Sequence, residues 1–237
     1  MNGDRGKGIM SSKRYNKLIA DKNQKPETFS RLISDIKKNC TVKFDESIDL
    51  SFQIVNKQKK NEINIRTSVN LPSGNGKNIK IAVVCEEDKQ KSAKDAGAEI
   101  VGGDDLIDQI KSGELNFEKL ICTVSMMSKL SKLGKVLGPK GLMPNPKLGT
   151  VSDDVASAVK NAKSGQAEIR NDKDGNIGVS IGKKSFSDDK LLNNFNAILD
   201  TLEKEKSNYN VKGNLIKSSF ITSSMGKSFK IKLDKSI

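Results

Sequence analysis

Apolar positions change their period twice along this chain. Residues 13–40 read as helices, with Phe29, Leu32, Ile33 and Ile36 near helical spacing behind Thr28, a candidate N-cap. Residues 47–55 alternate instead, placing Ile48, Leu50, Phe52 and Ile54 on one side of a strand. Residues 62–71 alternate again through Ile63, Ile65, Thr67, Val69 and Leu71. The basic run at 56–61 (NKQKKN) predicts a hairpin-like connection between the two.

The break at 72–76 (PSGNG) introduces a different pattern. Residues 79–85 (IKIAVVC) form a nearly continuous apolar run, the signature of a parallel strand covered on both faces. A charged helix follows and stops at Gly97. A short strand (AEIV) leads through Gly102 and Gly103 into a helix carrying Leu106, Ile107 and Ile110, and a further strand falls at 120–124 (LICTV) before another helical stretch. This alternation predicts a small βαβ-type unit. Residues 153–163 read as a helix with Val155, Ala156, Val159 and Ala162 on one face, broken at 163–165. The first pattern then returns, with strands at 167–169 and 177–181 around a strong turn signal. Residues 187–206 form the clearest helix, carrying Leu191, Leu192, Phe195, Ile198, Leu199 and Leu202, and two late strands follow at 214–222 and 228–233.

The predicted fold class is therefore α/β in two domains, an α/β sandwich built from both chain ends with an inserted Rossmann-like βαβ domain. The expected boundaries are 1–74 plus 165–237 for the discontinuous domain and 75–164 for the insert. Pro72, Gly74, Gly76, Ser164 and Gly165 are the candidate hinge. Charge divides the same way. The chain of 237 residues carries a net +13, but residues 75–165 hold 14 Lys against 12 Asp and Glu, which leaves +11 to the outer parts. Such an excess points to a polyanionic partner, nucleic acid before membrane, bound by the outer domain.

Composition removes several chemistries. With no His, Ser-His-Asp, Cys-His and zincin catalysis are excluded. Aromatics at 4% argue against recognition by stacking bases on rings. Cys40, Cys85 and Cys122 are far apart and read as buried free thiols in a reducing compartment, with no C-x-x-C pair for zinc. No cofactor or metal is expected. No apolar run reaches membrane-spanning length, and the N-terminus has no apolar signal core. Met10 is a candidate internal start.

Three segments carry candidate chemistry. Residues 134–149 (GKVLGPKGLMPNPKLG) concentrate Pro and Gly, so no regular element is expected there. The segment is either a purely structural loop or one that offers Lys135, Lys140 and Lys147 to an RNA backbone. Residues 41–47 (TVKFDES) lie where a helix passes into a strand, and Phe44 could be plain core. Residues 222–227 (TSSMGK) could be an ordinary β-turn, or a place where small hydroxyl residues and Gly let a backbone approach an RNA sugar edge.

Together these segments resemble the bacterial large-subunit ribosomal protein L-one family across residues 28–230. The most specific stretch is 138–147 (GPKGLMPNPK) followed by Gly149, Thr150 and Val151. Lys43-Phe44 with Glu46-Ser47, 93–101 (AKDAGAEIV), 158–166 (AVKNAKSGQ), 170–173 (RNDK) and Ser224-Met225-Gly226 also match. The resemblance implies a terminal domain that grips large-subunit rRNA at the mobile stalk, with contacts at Lys43, Phe44, Ser47, Ser218, Ser224, Met225 and Gly226. Further contacts are expected at Arg66, Arg170, Lys140 and Lys147. It also implies an insert that meets tRNA at the exit site and assists its release, repression of the chain's own operon mRNA, a cytoplasmic location and a monomeric free state. The chain departs from the family at Thr67, where Gly is usual, at Ser73-Gly74-Asn75-Gly76 before the hinge, and at Ser224, where Thr is usual. The competing readings are a free regulatory mRNA binder and a nucleotide-using α/β enzyme. The latter lacks any phosphate-loop motif.

Overall fold

The computed structural model describes residues 13–19, 26–55, 57–58, 61–113 and 116–233. The candidate start at Met10 lies outside them. Helices α1 (Lys13–Ile19) and α2 (Phe29–Asn39) precede strand β1 (Ser47–Ile54). The alternation in β1 turns Ile48, Leu50, Phe52 and Ile54 inward, and all four are buried. Strand β1 is central in a four-stranded antiparallel sheet with β9 (Asn176–Lys183), β10 (Ile216–Ser223) and β11 (Phe229–Lys230), in the order β11-β10-β1-β9. Helix α2 and the long α8 (Asp188–Asn208) bury their apolar stripes in the same core, where Phe29 stacks on Phe195 at 3.9 Å between centroids. The opposite face of the sheet is exposed or half-buried among the described residues. It presents Asp49, Ser51 and Gln53 of β1 beside Ser218, Phe220 and Thr222 of β10 and Asn176, Gly178 and Ser180 of β9.

Strands β4 (Arg66–Asn70) and β8 (Gln166–Arg170) form a separate antiparallel ladder, from Arg66 opposite Arg170 to Asn70 opposite Gln166. From the Asn70–Gln166 end the chain enters and leaves the insert. There β5 (Ile81–Val84), β6 (Ile100–Gly102) and β7 (Lys119–Cys122) run parallel in the order β6-β5-β7. The unbroken apolar run of β5 has a simple cause. Ala82 and Val84 pack with α4 (Asp104–Ser112) and α5 (Val124–Ser131). Ile81, Val83 and Cys85 pack on the other face with α3 (Glu87–Asp95) and α7 (Val155–Lys163). The fold is thus α/β in two domains, as read from the pattern.

Several local expectations differ from the structure. Residues 62–71 are not one strand. A small hairpin of β2 (Lys57–Gln58) and β3 (Asn61–Glu62) comes first, and Ile63 and Ile65 are buried in a non-strand segment before β4. Strands β1 and β4 then lie in different sheets, as do β8 and β9, because each joins a partner from the other chain end. Val124 begins α5 instead of ending β7, and it is 57% exposed. The Pro- and Gly-rich segment holds a one-turn helix α6 (Gly134–Leu137) and a 3-10 turn at Pro146–Leu148, because Leu137 and Leu148 find burial there. In α7 the buried face uses Ala158 where Ala156 was expected. Thr28 holds the N-cap position of α2 without a side-chain cap bond.

Candidate nucleic-acid interface

The antiparallel pairing of β1 with β10 brings the start of one strand against the end of the other, with Ile48 opposite Ser223. The chain turns immediately after, through Ser224, Met225 and Gly226. Ser224 N–H donates to Ser47 O at 3.1 Å, and Ser47 N–H donates to Ser224 Oγ, also at 3.1 Å. The Ser224 hydroxyl is therefore tied to the strand start instead of standing free. Met225 N–H donates to Glu46 Oε2 at 3.0 Å, and Met225 O accepts from the Arg14 guanidinium at 2.7 Å. Gly226 N–H closes the turn on Ser223 O at 3.1 Å. A Cβ on Gly226 would overlap Ser223 Oγ, so a larger residue here would force that hydroxyl to turn away.

With its backbone satisfied in this way, the turn leaves the Met225 side chain 47% exposed. Phe44, in the bend just before β1, is 54% exposed and is not core. Exposed Lys43 precedes it. Two large apolar groups beside a lysine form a surface that water solvates poorly and a polyanion with apolar sugar and base faces can cover. Ser47 Oγ accepts from Lys183 Nζ at 2.9 Å, and Asp45 holds the next loop by accepting from Ser185 N–H and Oγ at 3.1 and 2.7 Å. Beneath the turn lie Glu46 and Ser223, both buried, with Glu46 Oε1 and Ser223 Oγ lacking a partner at hydrogen-bond distance among the described residues. The Cys40 thiol is close to both. Burial pushes its pKa up; Ser223 opposes the rise and Glu46 adds to it.

The structure brings Lys43, Phe44, Ser47, Ser224, Met225 and Gly226 together, but not Ser218. Ser218 lies opposite Gln53, at the far end of the β1–β10 pairing and about 20 Å along the strand from Ser224. It shares the exposed face with the cluster, and its hydroxyl donates to Gln53 Oε1 at 3.3 Å. Arg66 and Arg170 face each other in the β4–β8 ladder, and Arg66 is paired to Glu168 at 3.0 Å. The adjacent loop is shaped by Asp172, which accepts from Asn176 and Asp174 N–H; the Asn176 bonds come first among the causes that hold its carboxyl below the usual range. Exposed Lys140 and Lys147 belong to the insert, on the segment anchored where Gln166 Nε2 donates to Leu148 O at 3.1 Å. Lys119 Nζ donates to the other end of that amide at 2.6 Å; burial lowers the lysine pKa against the pull of Glu168.

At the candidate hinge, Gly74, Gly76 and Gly165 all adopt positive φ (71°, 71° and 98°). The two connections touch. A Cβ on Gly165 would stand 2.5 Å from Gly74 Cα, which only Gly permits. Asn194 of α8 holds the first connection by accepting from Ser73 N–H (3.0 Å) and donating to Gly74 O (2.8 Å) and Ile181 O (2.7 Å). Sequence reasoning missed Arg14, Glu46, Lys183 and Asn194. Glu46 stood inside a quoted motif, but nothing in the order of residues signals that a carboxylate will be fully buried.

The fold and its exposed edge define a two-domain α/β chain with a basic, partly apolar sheet edge. Comparison makes the class specific. Residues 36–227 match the Ribosomal protein L1p/L10e family. The chain is 71% identical over 229 residues to the large ribosomal subunit protein uL1 of Pelagibacter ubique, covering 96% of this chain and 100% of the relative. It is 43% identical to the proteins of the same name from Rickettsia akari, over 88% of both chains, and from Prochlorococcus marinus strain NATL1A, over 94% of this chain and 95% of the relative. The chain belongs to the ribosomal protein L1 family, whose members are structural and not enzymes.

Proposed function

We propose that this chain is a constituent of the large subunit of the cytoplasmic ribosome and binds large-subunit rRNA through the β1–β10 edge. The observation that carries the reading is the exposure of Phe44 and Met225 beside Lys43 on a turn whose backbone bonds are already made. Lys43 and the surrounding positive charge supply affinity. Met225 and Phe44 pack on sugar or base faces, and Gly226 lets the backbone come close. Ser47 and Ser218 offer hydroxyls to the 2′-OH, Ser224, whose oxygen already accepts from Ser47 N–H, offers its remaining lone pair, and Arg66 and Arg170 extend the contact. On this reading the free chain is a monomer, the insert with Lys140 and Lys147 meets tRNA at the exit site and assists release of deacylated tRNA, and an RNA site on the chain's own operon mRNA competes with the ribosomal one. Family membership supports these finer roles.

The test is affinity for a transcript of large-subunit rRNA. Met225→Ala is expected to weaken it about 5- to 150-fold, the scale of ~1–3 kcal/mol. The melting midpoint should stay within about 1 °C, because a half-exposed side chain contributes little to the core. Unchanged affinity with a folded variant would remove the site assignment.

We further propose domain limits of 1–74 plus 165–237 and 75–164, with Pro72, Gly74, Gly76, Ser164 and Gly165 as the hinge. The closeness of Gly74 and Gly165 supports this, since a few residues of Gly-Ser linker could replace 75–164. The shortened chain is expected to fold and to bind the transcript within about threefold of the full chain, because the cluster around Met225 lies wholly outside the insert. An unfolded product in circular dichroism would sink the boundaries.

A further inference from the structure

The Met225 peptide is gripped from both sides by opposite charges. Below it, the fully buried Glu46 accepts its N–H; beyond it, Arg14 of α1 donates to its carbonyl while the other arm of the guanidinium donates to Thr41 Oγ1 at 3.0 Å. Stability does not account for this arrangement. An N–H on an exposed turn can be satisfied by water at little cost. A buried carboxylate with one oxygen unpartnered, and with no Lys or Arg in ion-pair contact among the described residues, is by itself destabilising. Nor is Glu46 placed to attract RNA, since its charge has the sign of a phosphate. What the pair achieves is a turn held in one geometry, with a flexible Met side chain on a rigid base.

We propose that Glu46 and Arg14 are positioning residues of the RNA site. They fix the peptide that presents Met225 and Gly226 before RNA arrives, so the seat of α1 against the turn is part of the binding surface. The inference rests on the RNA-binding reading above. It states where part of the affinity comes from: the ordering cost of the turn is met in the free protein and not on binding.

Charge and positioning predict opposite signs, so the two can be separated. The full chain and its variants would be titrated with a transcript of large-subunit rRNA at two salt concentrations, with melting measured in parallel. Glu46→Ala removes a negative charge beside a polyanion, so charge alone predicts tighter binding; positioning predicts binding weaker by about tenfold. Glu46→Gln keeps an oxygen acceptor for Met225 N–H and should bind within about twofold of the parent chain. Arg14→Lys keeps the charge but not the rigid fork that spans Thr41 and Met225, so it should lose as much as Arg14→Ala, with an unaltered salt slope. Glu46→Ala binding as tightly as the parent or tighter, or Arg14→Lys matching the parent, would overturn the proposal. If melting shows that Glu46→Ala does not fold, the two variants of Arg14, whose side chain is partly exposed, decide the matter. A parent chain that does not bind the transcript overturns the RNA reading and this inference together. A parent that binds, and loses affinity with Met225→Ala but with none of the others, overturns this inference alone.

Discussion

Raising monovalent salt from about 50 to about 200 mM is expected to weaken binding of the chain to large-subunit rRNA roughly 100- to 1000-fold. Each phosphate neutralised by a Lys or Arg releases counterions, and the logarithm of affinity falls by about 0.7 to 0.9 per contact for each decade of salt. Four to six contacts, roughly what Lys43, Lys183, Arg66, Arg170 and one or two neighbours could supply, produce that range. The outer segments hold +11 of the net +13, so the shortened chain without 75–164 should show nearly the same slope. Met225→Ala should displace the line downward and leave its slope alone, because a thioether neutralises no phosphate. Titration at four salt concentrations reads both quantities, and an essentially flat response would contradict binding led by phosphate contacts.

The fold was legible wherever burial is one-sided or complete. Alternation in β1 and the unbroken run of β5 report which faces are covered, and those faces persist in the structure. Pairing partners were not legible. Residues 47–55 and 62–71 follow one another and both alternate, yet β1 pairs β9 and β10 while β4 pairs β8. The choice is made by chain ends that meet only after the insert has been traversed. Val124 shows the same limit at small scale. A β-branched residue after LICT extends the strand pattern, but Thr123 takes the N-cap position and Val124 starts the helix in solvent.

The site was legible only in part, and through resemblance more than periodicity. Phe44 and Met225 could equally have been core; their exposure is a property of the assembled sheet edge. The sequence marks Ser224 only as an expected RNA contact; pairing of β1 with β10 places Ser47 N–H against its hydroxyl. Ser224→Val should therefore lower stability as well as RNA affinity, unlike Met225→Ala. Arg14 lay far from the motifs in sequence, and no local pattern links it to position 225.

Replacing Asn194 with Leu is expected to cost about 3–5 kcal/mol of stability. Asn194 sits in the buried stripe of α8 between Leu191 and Ile198, where the helical pattern asks for an apolar residue. A Leu would fill that volume but strand three backbone groups: Ser73 N–H, Gly74 C=O and Ile181 C=O. A group left unpaired costs ~1–3 kcal/mol where it is buried, as at Ile181, and less at the half-buried Ser73 and Gly74; the gain from a more apolar side chain offsets part of the total. At about 2–4 °C per kcal/mol for chains of this size, the melting transition of the sheet-bearing part should fall by about 10 °C. Asn194→Asp should do worse, since it loses both donations and buries a charge with no Lys or Arg paired to it among the described residues. Ser73 and Gly74 are the start of the first connection, so cleavage at 72–76 under limited proteolysis should accelerate in step with the loss of stability. Below the transition, RNA affinity should remain that of the parent chain, because none of the proposed RNA-contacting side chains is a partner of Asn194. A midpoint lowered by less than about 3 °C would mean that the connection finds other partners, and that Asn194 does not hold it.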